Sequence, residues 1–388
     1  MDFDSYIKLL QSGNILRPLC RLDYLRNLDE SVQSSIIKLP MTGSSLTVDA
    51  SNGMRRSLSL ILDNTDKDFL PSKESLWIGF KFQLYLGLID DDDREIWFEQ
   101  GVFCVFNNDP TISSNYSEKT VSIQASDKMS LWDIPIGHAY IIPANTSLTA
   151  ALRSILDLVG DKKAPLIQQM NQNCPYELRW SESTTYMTVL KDLANLNSCE
   201  IYYNQTGHLV FKTFVNQITA ENIFTFSEDE PECYMGAVRN PKYSEVYNHV
   251  YVTGASMDSG TVYSAESRND DLTSDTRIAL IGEKPMPVIN DSKIYNNVLC
   301  KQRSDMELAK SIRMQETINI SCIALFHADV NKAVKISDDS IGLKNKRYII
   351  QQYSMQIDAR SAMTITGFLY SENSDFMDRL SMNTESIT

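Results

Sequence analysis

The sequence predicts a mainly β protein interrupted by a small α+β module, and three observations carry that prediction. The first third is a succession of β-forming segments bounded by Asn, Gly, Asp or Pro. After Pro143 the apolar spacing changes from a period of two to that of a helix. From Tyr234 onward the strand pattern returns.

In the first third the segments 16–25, 45–49, 55–63, 78–88, 95–106 and 120–125 read as strands. Phe80, Phe82, Leu84 and Leu86 share one face, while Lys81, Gln83 and Tyr85 take the other, as in a half-buried strand. The acidic turn Asp90, Asp91, Asp92 and Asp93 separates it from the next strand, which makes the pair a hairpin. Residues 1–145 therefore read as one antiparallel barrel or sandwich.

Beyond Pro143, Thr146 or Ser147 can cap a helix carrying Leu148, Leu152, Ile155, Leu156 and Val159, with Gly160 as its stop. A second helix begins near Thr184 and lines up Tyr186, Val189, Leu190, Leu193 and Leu196. A hairpin follows, turning at Asn204–Gly207. Helix, helix and hairpin assign 146–229 to a separate α+β module. In 230–372 strands are expected at 245–253, 256–267, 317–326, 334–337, 348–357 and 361–370. Ser304 and Glu307 have the spacing of a capping box, which predicts one helix over about 304–316. The polar run after Tyr370, including 373–388, reads as a tail.

The 388 residues are 43% hydrophobic and 22% charged, an ordinary globular composition with ample material for a core. No apolar run approaches the roughly 18 residues of a membrane helix, and the start at Met1 lacks a signal-peptide pattern, so neither a span nor Sec secretion is expected. The net charge of −14 is spread over both parts of the chain, and no Lys/Arg stripe supplies the cationic footprint of a nucleic-acid binder. Seven widely spaced cysteines without a C-x-x-C pair read as reduced, mostly buried thiols.

Catalytic chemistry finds little support. No G-x-S-x-G is present; Gly254 to Gly260 has the wrong spacing. His138, His208, His249 and His327 are scattered and form no metal-binding pair, and no phosphate-cradling glycine loop occurs. The four aspartates at 90–93 have oxygens suited to Ca²⁺ but lack the calcium-loop spacing, so a solvated hairpin tip is the simpler reading. No catalytic, cofactor-binding or metal-binding residue is assigned, and no cofactor is expected. Trp97, Phe98, Tyr202, Tyr203, Tyr247 and Tyr251 lie in expected strands, where a sugar platform is the alternative to a core role.

Three stretches resemble the baseplate hub, or tail-associated, proteins of long-tailed and contractile phages and of tailocins. One is the Gly53-Met54-Arg55-Arg56 strand with Ser57 to Asp63 behind it. The second is the module itself, from Leu148 through Tyr186 to Tyr202 and Phe211. The third is Tyr247 to Gly254 with the helix and the terminal strands around Tyr348 to Ser354. The resemblance implies two tube-type antiparallel β-barrels, 1–145 and 230–372, flanking the module. It implies a homotrimer whose six barrels form a pseudo-sixfold ring between a sixfold tail tube and a threefold spike. The implied partners are the tail tube or distal tail protein, the central spike or fibre and other baseplate proteins. The implied place is the tail tip of a virion assembled in the host cytoplasm, with DNA passing through the lumen without sequence-specific binding. Many tail-associated proteins carry a C-terminal peptidase or lysozyme; the stretch after Tyr370 is too short for one, so wall cutting is expected of another protein. A carbohydrate-binding host-adhesion β protein and a cell-wall hydrolase stand as alternatives.

Because 371–388 add no periodic apolar face, a chain ending at Tyr370 is expected to unfold at the same temperature as the full chain. A lost or broadened thermal transition would place that segment in the core.

Overall fold

The computed structural model describes the chain apart from residues 13–16, 26–29, 73–75, 77–78, 91, 106–108, 160, 168–172, 175, 197–198, 214–219, 256–260, 292–293, 295, 314–315, 359–361 and 370–388. The expected tail, the helix stop at Gly160 and most of the string from Gly254 to Gly260 therefore lie outside the described residues. All seven cysteines are buried and free, and burial pushes the Cys20 and Cys104 thiols up to about 12. Among the described residues no helix is long and apolar enough to cross a membrane.

The chain opens with a helix, α1 (Phe3–Gln11), which the sequence reading missed. Asp2 caps it by accepting from the Ser5 amide at 2.8 Å, and Tyr6 and Leu10, one turn apart, are its buried face. Eight strands follow: β1 (Pro18–Leu25), β2 (Val32–Lys38), β3 (Ser45–Asp49), β4 (Arg56–Asp63), β5 (Lys81–Ile89), β6 (Glu95–Cys104), β7 (Thr111–Ser114) and β8 (Lys119–Asp127). The strands β2 and β7 went unread because nearly all their side chains are exposed on both faces, which erases the alternation.

The middle of the chain contains β9 (Tyr140–Ile142), α2 (Leu148–Val159), β10 (Leu166–Ile167), β11 (Leu178–Trp180), α3 (Tyr186–Leu196), β12 (Cys199–Tyr203) and β13 (Leu209–Thr213). Both helices and the hairpin stand where the sequence put them. Their shared core, however, runs from Met129 to Phe211 and includes Trp132 and Ile142, so the packed unit starts earlier than 146 and ends before 229. The reason is topological: β14 (Asn222–Ser227) leaves the module and pairs with a strand of the main sheet.

The last part contains β15 (Tyr234–Pro241), β16 (His249–Ala255), β17 (Val262–Arg268), α4 (Ile278–Ile281), β18 (Ile289–Asp291), α5 (Asn297–Arg313), β19 (Glu316–Ile323), β20 (Ala333–Asp338), β21 (Leu343–Gln356) and β22 (Ala362–Leu369). The helix expected from Ser304 begins at Asn297 instead. Asn296 accepts from the Leu299 amide at its start, whereas Ser304 is buried mid-helix, donating back to the Lys301 carbonyl at 2.9 Å. A capping-box spacing is indistinguishable in sequence from an interior serine bonding to the preceding turn. This helix packs on β16 and β17 around Val250, Val252, Cys300 and Leu308, a small core of its own within the second β segment.

Among the described residues fourteen strands form one sheet, whose main path runs β15-β19-β22-β21-β3-β4-β8-β6-β5-β1-β2. Within the front array β2 pairs with β1, β1 with β5, β5 with β6, β6 with β8, and β8 with β4. Just past β2, Pro40 bridges to Leu62 of β4, and β3 continues along the same edge of β4. In the rear array β14 pairs with β20, β20 with β21, β21 with β22, β22 with β19, and β19 with β15. Front and rear join where β3 meets β21, from Ser45↔Gln356 to Asp49↔Gln352. One apolar core runs through both, from Tyr6 and Leu22 to Tyr353 and Ile365.

Between β19 and β20 a strap buries Ala324, Leu325, Phe326 and Ala328 completely. Its polar groups are met from three sides. Gln100 of β6 donates to the Phe326 carbonyl at 2.8 Å, and Tyr353 of β21 donates to the Ala328 carbonyl at 3.1 Å. The Tyr6 hydroxyl of α1 accepts from the Phe326 amide at 3.0 Å and lies 3.3 Å from His327 Nδ1. His327 Nε2 faces the Ile223 carbonyl at 3.1 Å, which requires a proton on Nε2 and leaves Nδ1 to accept from Tyr6. Asp329 holds Arg56 by both carboxylate oxygens, at 2.8 and 3.0 Å from Nη2.

Two predictions follow from the strap. Removing one member of a buried ion pair leaves the other unpaired, so Asp329→Ala is expected to cost about 3 kcal/mol in a denaturant titration, towards the low end because Asp329 is partly exposed. Burial lowers the His327 pKa below its ordinary value of about 6.5. The unfolded chain then takes up a proton that the folded chain refuses, so His327 costs stability as pH falls through about 6.5. Asp127, pushed by burial up to about 6, acts with the opposite sign, because its folded form keeps a proton the unfolded form releases. The difference in stability between wild type and His327→Gln isolates the histidine: it should change between pH 7.5 and 5.5 in favour of the variant as pH falls, and a pH-independent difference would refute it.

Candidate functional site

The residues that could have carried catalysis are kept apart. His138 Nδ1 faces the Ile136 carbonyl at 3.1 Å, and His208 Nδ1 faces the Ala164 carbonyl at 2.7 Å. His249 lies between two carboxylates, with Nδ1 2.6 Å from Glu283 and Nε2 3.0 Å from Glu266, and His327 is in the strap. Among the described residues no three His, Cys, Asp or Glu side chains are grouped to hold a metal ion. In the acidic turn, Asp91 lies outside the described residues. Asp90 accepts from the amides of Asp92 and Arg94 and from Arg94 Nε, while Arg94 Nη2 reaches Asp92 at 3.0 Å. Those carboxylate oxygens are thus occupied by the turn and its arginine.

Trp97 is half-buried on the outer side of β6, and its indole nitrogen donates to Glu95 at 2.9 Å. The Arg21 guanidinium stacks 3.8 Å from the Tyr85 ring centre and 5.4 Å from that of Trp97. One face of the Tyr85 ring is thus covered by a cation.

What the structure brings together is the join between its parts, and the dipeptide Arg55-Arg56 stands at the middle of it. Successive residues at a strand entrance point to opposite sides. Arg56 therefore turns into the core, 2% exposed, to meet Asp329 of the rear array. Burial alone would lower its pKa, and Asp329, Tyr353 and Asp127 together more than reverse this. Gly101 makes the space: at φ +141° in β6, it faces the arginine so closely that a Cβ there would lie 2.9 Å from Arg56 Cδ. Arg55 turns the other way. Its Nη2 donates to Glu200 of β12 at 3.0 Å, and its guanidinium lies 3.5 Å from the Tyr202 ring centre, so it holds the module.

Asp127, at the end of β8, accepts from the Arg56 amide at 3.0 Å and from the Met129 amide at 2.9 Å, fixing the exit into the module. Next to it Lys128, 1% exposed, pairs with Glu30 at 2.6 Å and Asp161 at 3.0 Å and donates to the Gly207 carbonyl. Asp161 also accepts from Tyr203, whose oxygen accepts from Trp132. The loop before Arg55 borders a cleft of about 700 Å³ whose walls include Asn52, Lys191, Glu200, Lys310, Gln351 and Phe368, from the front array, the module, α5 and the rear array. The cleft marks where the parts meet; its described lining includes no histidine, and Ser51 there donates to Asp49 of its own turn at 2.6 Å. Sequence reasoning picked out Arg55 and Arg56 only through resemblance. Their opposite duties follow from strand alternation, but their partners lie 145 and 273 residues away.

No protein-family model matches the chain, and no curated protein matches it. Solved structures do. A tail protein from Neisseria meningitidis MC58 superposes with a TM-score of 0.62 at 9% identity, covering 90% of this chain and 96% of its own. The 43 kDa tail protein of prophage MuSo2 from Shewanella oneidensis gives 0.58 at 12% identity, covering 91% and 98%. The Francisella PdpA-VgrG complex gives 0.56 at 13% identity, covering 95% of this chain and 56% of that one. The chain therefore has a fold found in phage tail proteins, matched over nearly its whole length.

Proposed function

We propose that this chain is a structural hub protein of a phage tail or a phage-like particle. In this reading its front and rear arrays are two tube-type barrels. Three chains close into a pseudo-sixfold ring that joins the tail tube or distal tail protein to the central spike or fibre. DNA leaves through the lumen, and the ring sits at the tail tip, assembled in the host cytoplasm. The likeness in fold to tail proteins supports the setting.

One observation carries the reading furthest. Count the strands of each array in chain order, with β3 as the continuation of β2 and β7 as an addition to β8. In the rear array neighbours run first, fourth, fifth, sixth, third, second: β14, β20, β21, β22, β19, β15. In the front array the same order appears as β1, β5, β6, β8, β4 and the segment running from β2 into β3. The orientations match as well, with one exception: β1 runs antiparallel to β5, whereas β14 runs parallel to β20. Two arrays with shared connectivity in one chain are what a threefold assembly needs to present six similar units to a sixfold neighbour.

Among the described residues no arrangement specifically favours the adhesin or the hydrolase alternative. The test is the mass of the purified full-length chain in solution by light scattering, together with class averages of negatively stained particles. Three times the chain mass and six lobes around a central hole are expected. A monomer or a twofold dimer at micromolar concentration would overturn the proposal.

A further inference from the structure

Six neighbouring strands of the main sheet, β19, β22, β21, β3, β4 and β8, turn alternate residues away from the core. Register aligns those residues into rows. One row crosses all six strands as Ser321, Thr364, Ser354, Thr47, Ser57 and Ser126. A second runs through Gln356, Ser45, Ser59 and Gln124. Between them on the opposite side lies an inward row that includes Met355 and Leu46, both without exposure. The outward residues are exposed or half-exposed and are tied into a polar mesh: Thr47 donates to Ser354 at 3.2 Å and Gln124 donates to Ser59 at 2.8 Å.

Neither row contains a lysine, arginine, aspartate or glutamate, in a chain that is 22% charged. The contrast with the other end of the same sheet is sharp. There the outer sides of β1, β5 and β6 carry Arg21, Asp23, Lys81, Glu95 and Glu99. On β3 the next outward position beyond the first row is Asp49, opposite Gln352; the two-row surface itself is built only of hydroxyls and amides and stays wet, so apolar molecules do not adhere to it. It offers no cation, so a polyanion gains nothing from counterion release by touching it. It also adds no like charge, which would raise the electrostatic cost of confining a polyanion beside it. The front–rear join at β3 and β21 lies in the middle of the six strands, so the surface is continuous across both arrays.

We propose that this hydroxyl–amide face is the wall of the channel, kept free of charge so that double-stranded DNA slides along it without being held. This inference rests on the ring proposed above and specifies which side of the sheet faces inward. An extended polypeptide would be gripped by apolar pockets between side chains, and rows of serine and threonine provide none.

The seven native cysteines are buried, which leaves a quiet background for a thiol probe. In the Ser354→Cys chain, the unassembled protein should react with a small maleimide and with one carrying a long polyethylene glycol chain. Once assembled, it should keep its reaction with the small reagent and lose most of its reaction with the bulky one. Reaction with both would put the face on the outside, reaction with neither would put it between copies, and either result overturns the inference while leaving the ring intact. Failure to assemble at all removes the ring and this inference with it. Charge provides the second arm. Assembled wild type should leave a short DNA duplex unbound at low salt, whereas Thr47→Lys with Ser354→Lys should retain it, with retention falling as salt rises. Salt-dependent retention by the wild type, or protection of the wall only when a polypeptide is added, would overturn the charge-free wall.

Discussion

The fold depends on one buried ionic contact and the strap that receives it. Arg56 is held inside the protein by the two oxygens of Asp329, and a guanidinium so placed is tolerable only while that carboxylate stays in position. The strap carrying Asp329 is itself fixed by apolar burial of Leu325 and Phe326, each contributing about 1.5–3 kcal/mol. Removing Asp329 alone, which leaves the Arg56 charge unpaired, costs about 3 kcal/mol, so neither contribution dominates. The front array, the rear array and the N-terminal helix meet on this strap through Gln100, Tyr353 and Tyr6.

Strand alternation turns one dipeptide into two clamps. Arg56 faces the core and grips the rear array, while Arg55 faces outward and grips the module through Glu200 and Tyr202. A shift of one residue in the register of β4 would exchange their roles, putting Arg55 into the core and Arg56 against the module. Register is held by the inward Leu58, Leu60 and Leu62, all at or near zero exposure. The pairing of β3 with β21 then carries the sheet from one array to the other without a free edge between them. The two arrays are thus joined through backbone hydrogen bonds of one continuous sheet.

The sequence on its own determined the class and the sequence of textures. The period-two segment 80–86 and the β-forming segment 45–49 became strands, and the helical stripes on α2 and α3 became helices at nearly the expected residues. These signals are local, because a half-buried element imprints its own period on its side chains. Where an element has no buried side of its own, as in β2, the period is missing and the strand cannot be read. At α5 an interior serine imitated a cap, since capping and back-bonding share one spacing.

Only the tertiary structure decided how the pieces join. That β14 belongs to the main sheet, that Trp132 belongs to the module's core, and that Arg55 and Arg56 serve different bodies all depend on contacts between residues far apart in sequence. The same holds for the hydroxyl rows. Each strand supplies only one or two residues to the rows, an unremarkable number when read along the chain. Register between strands lines them up, and that alignment is a property of the hydrogen-bonded sheet, invisible in any one segment.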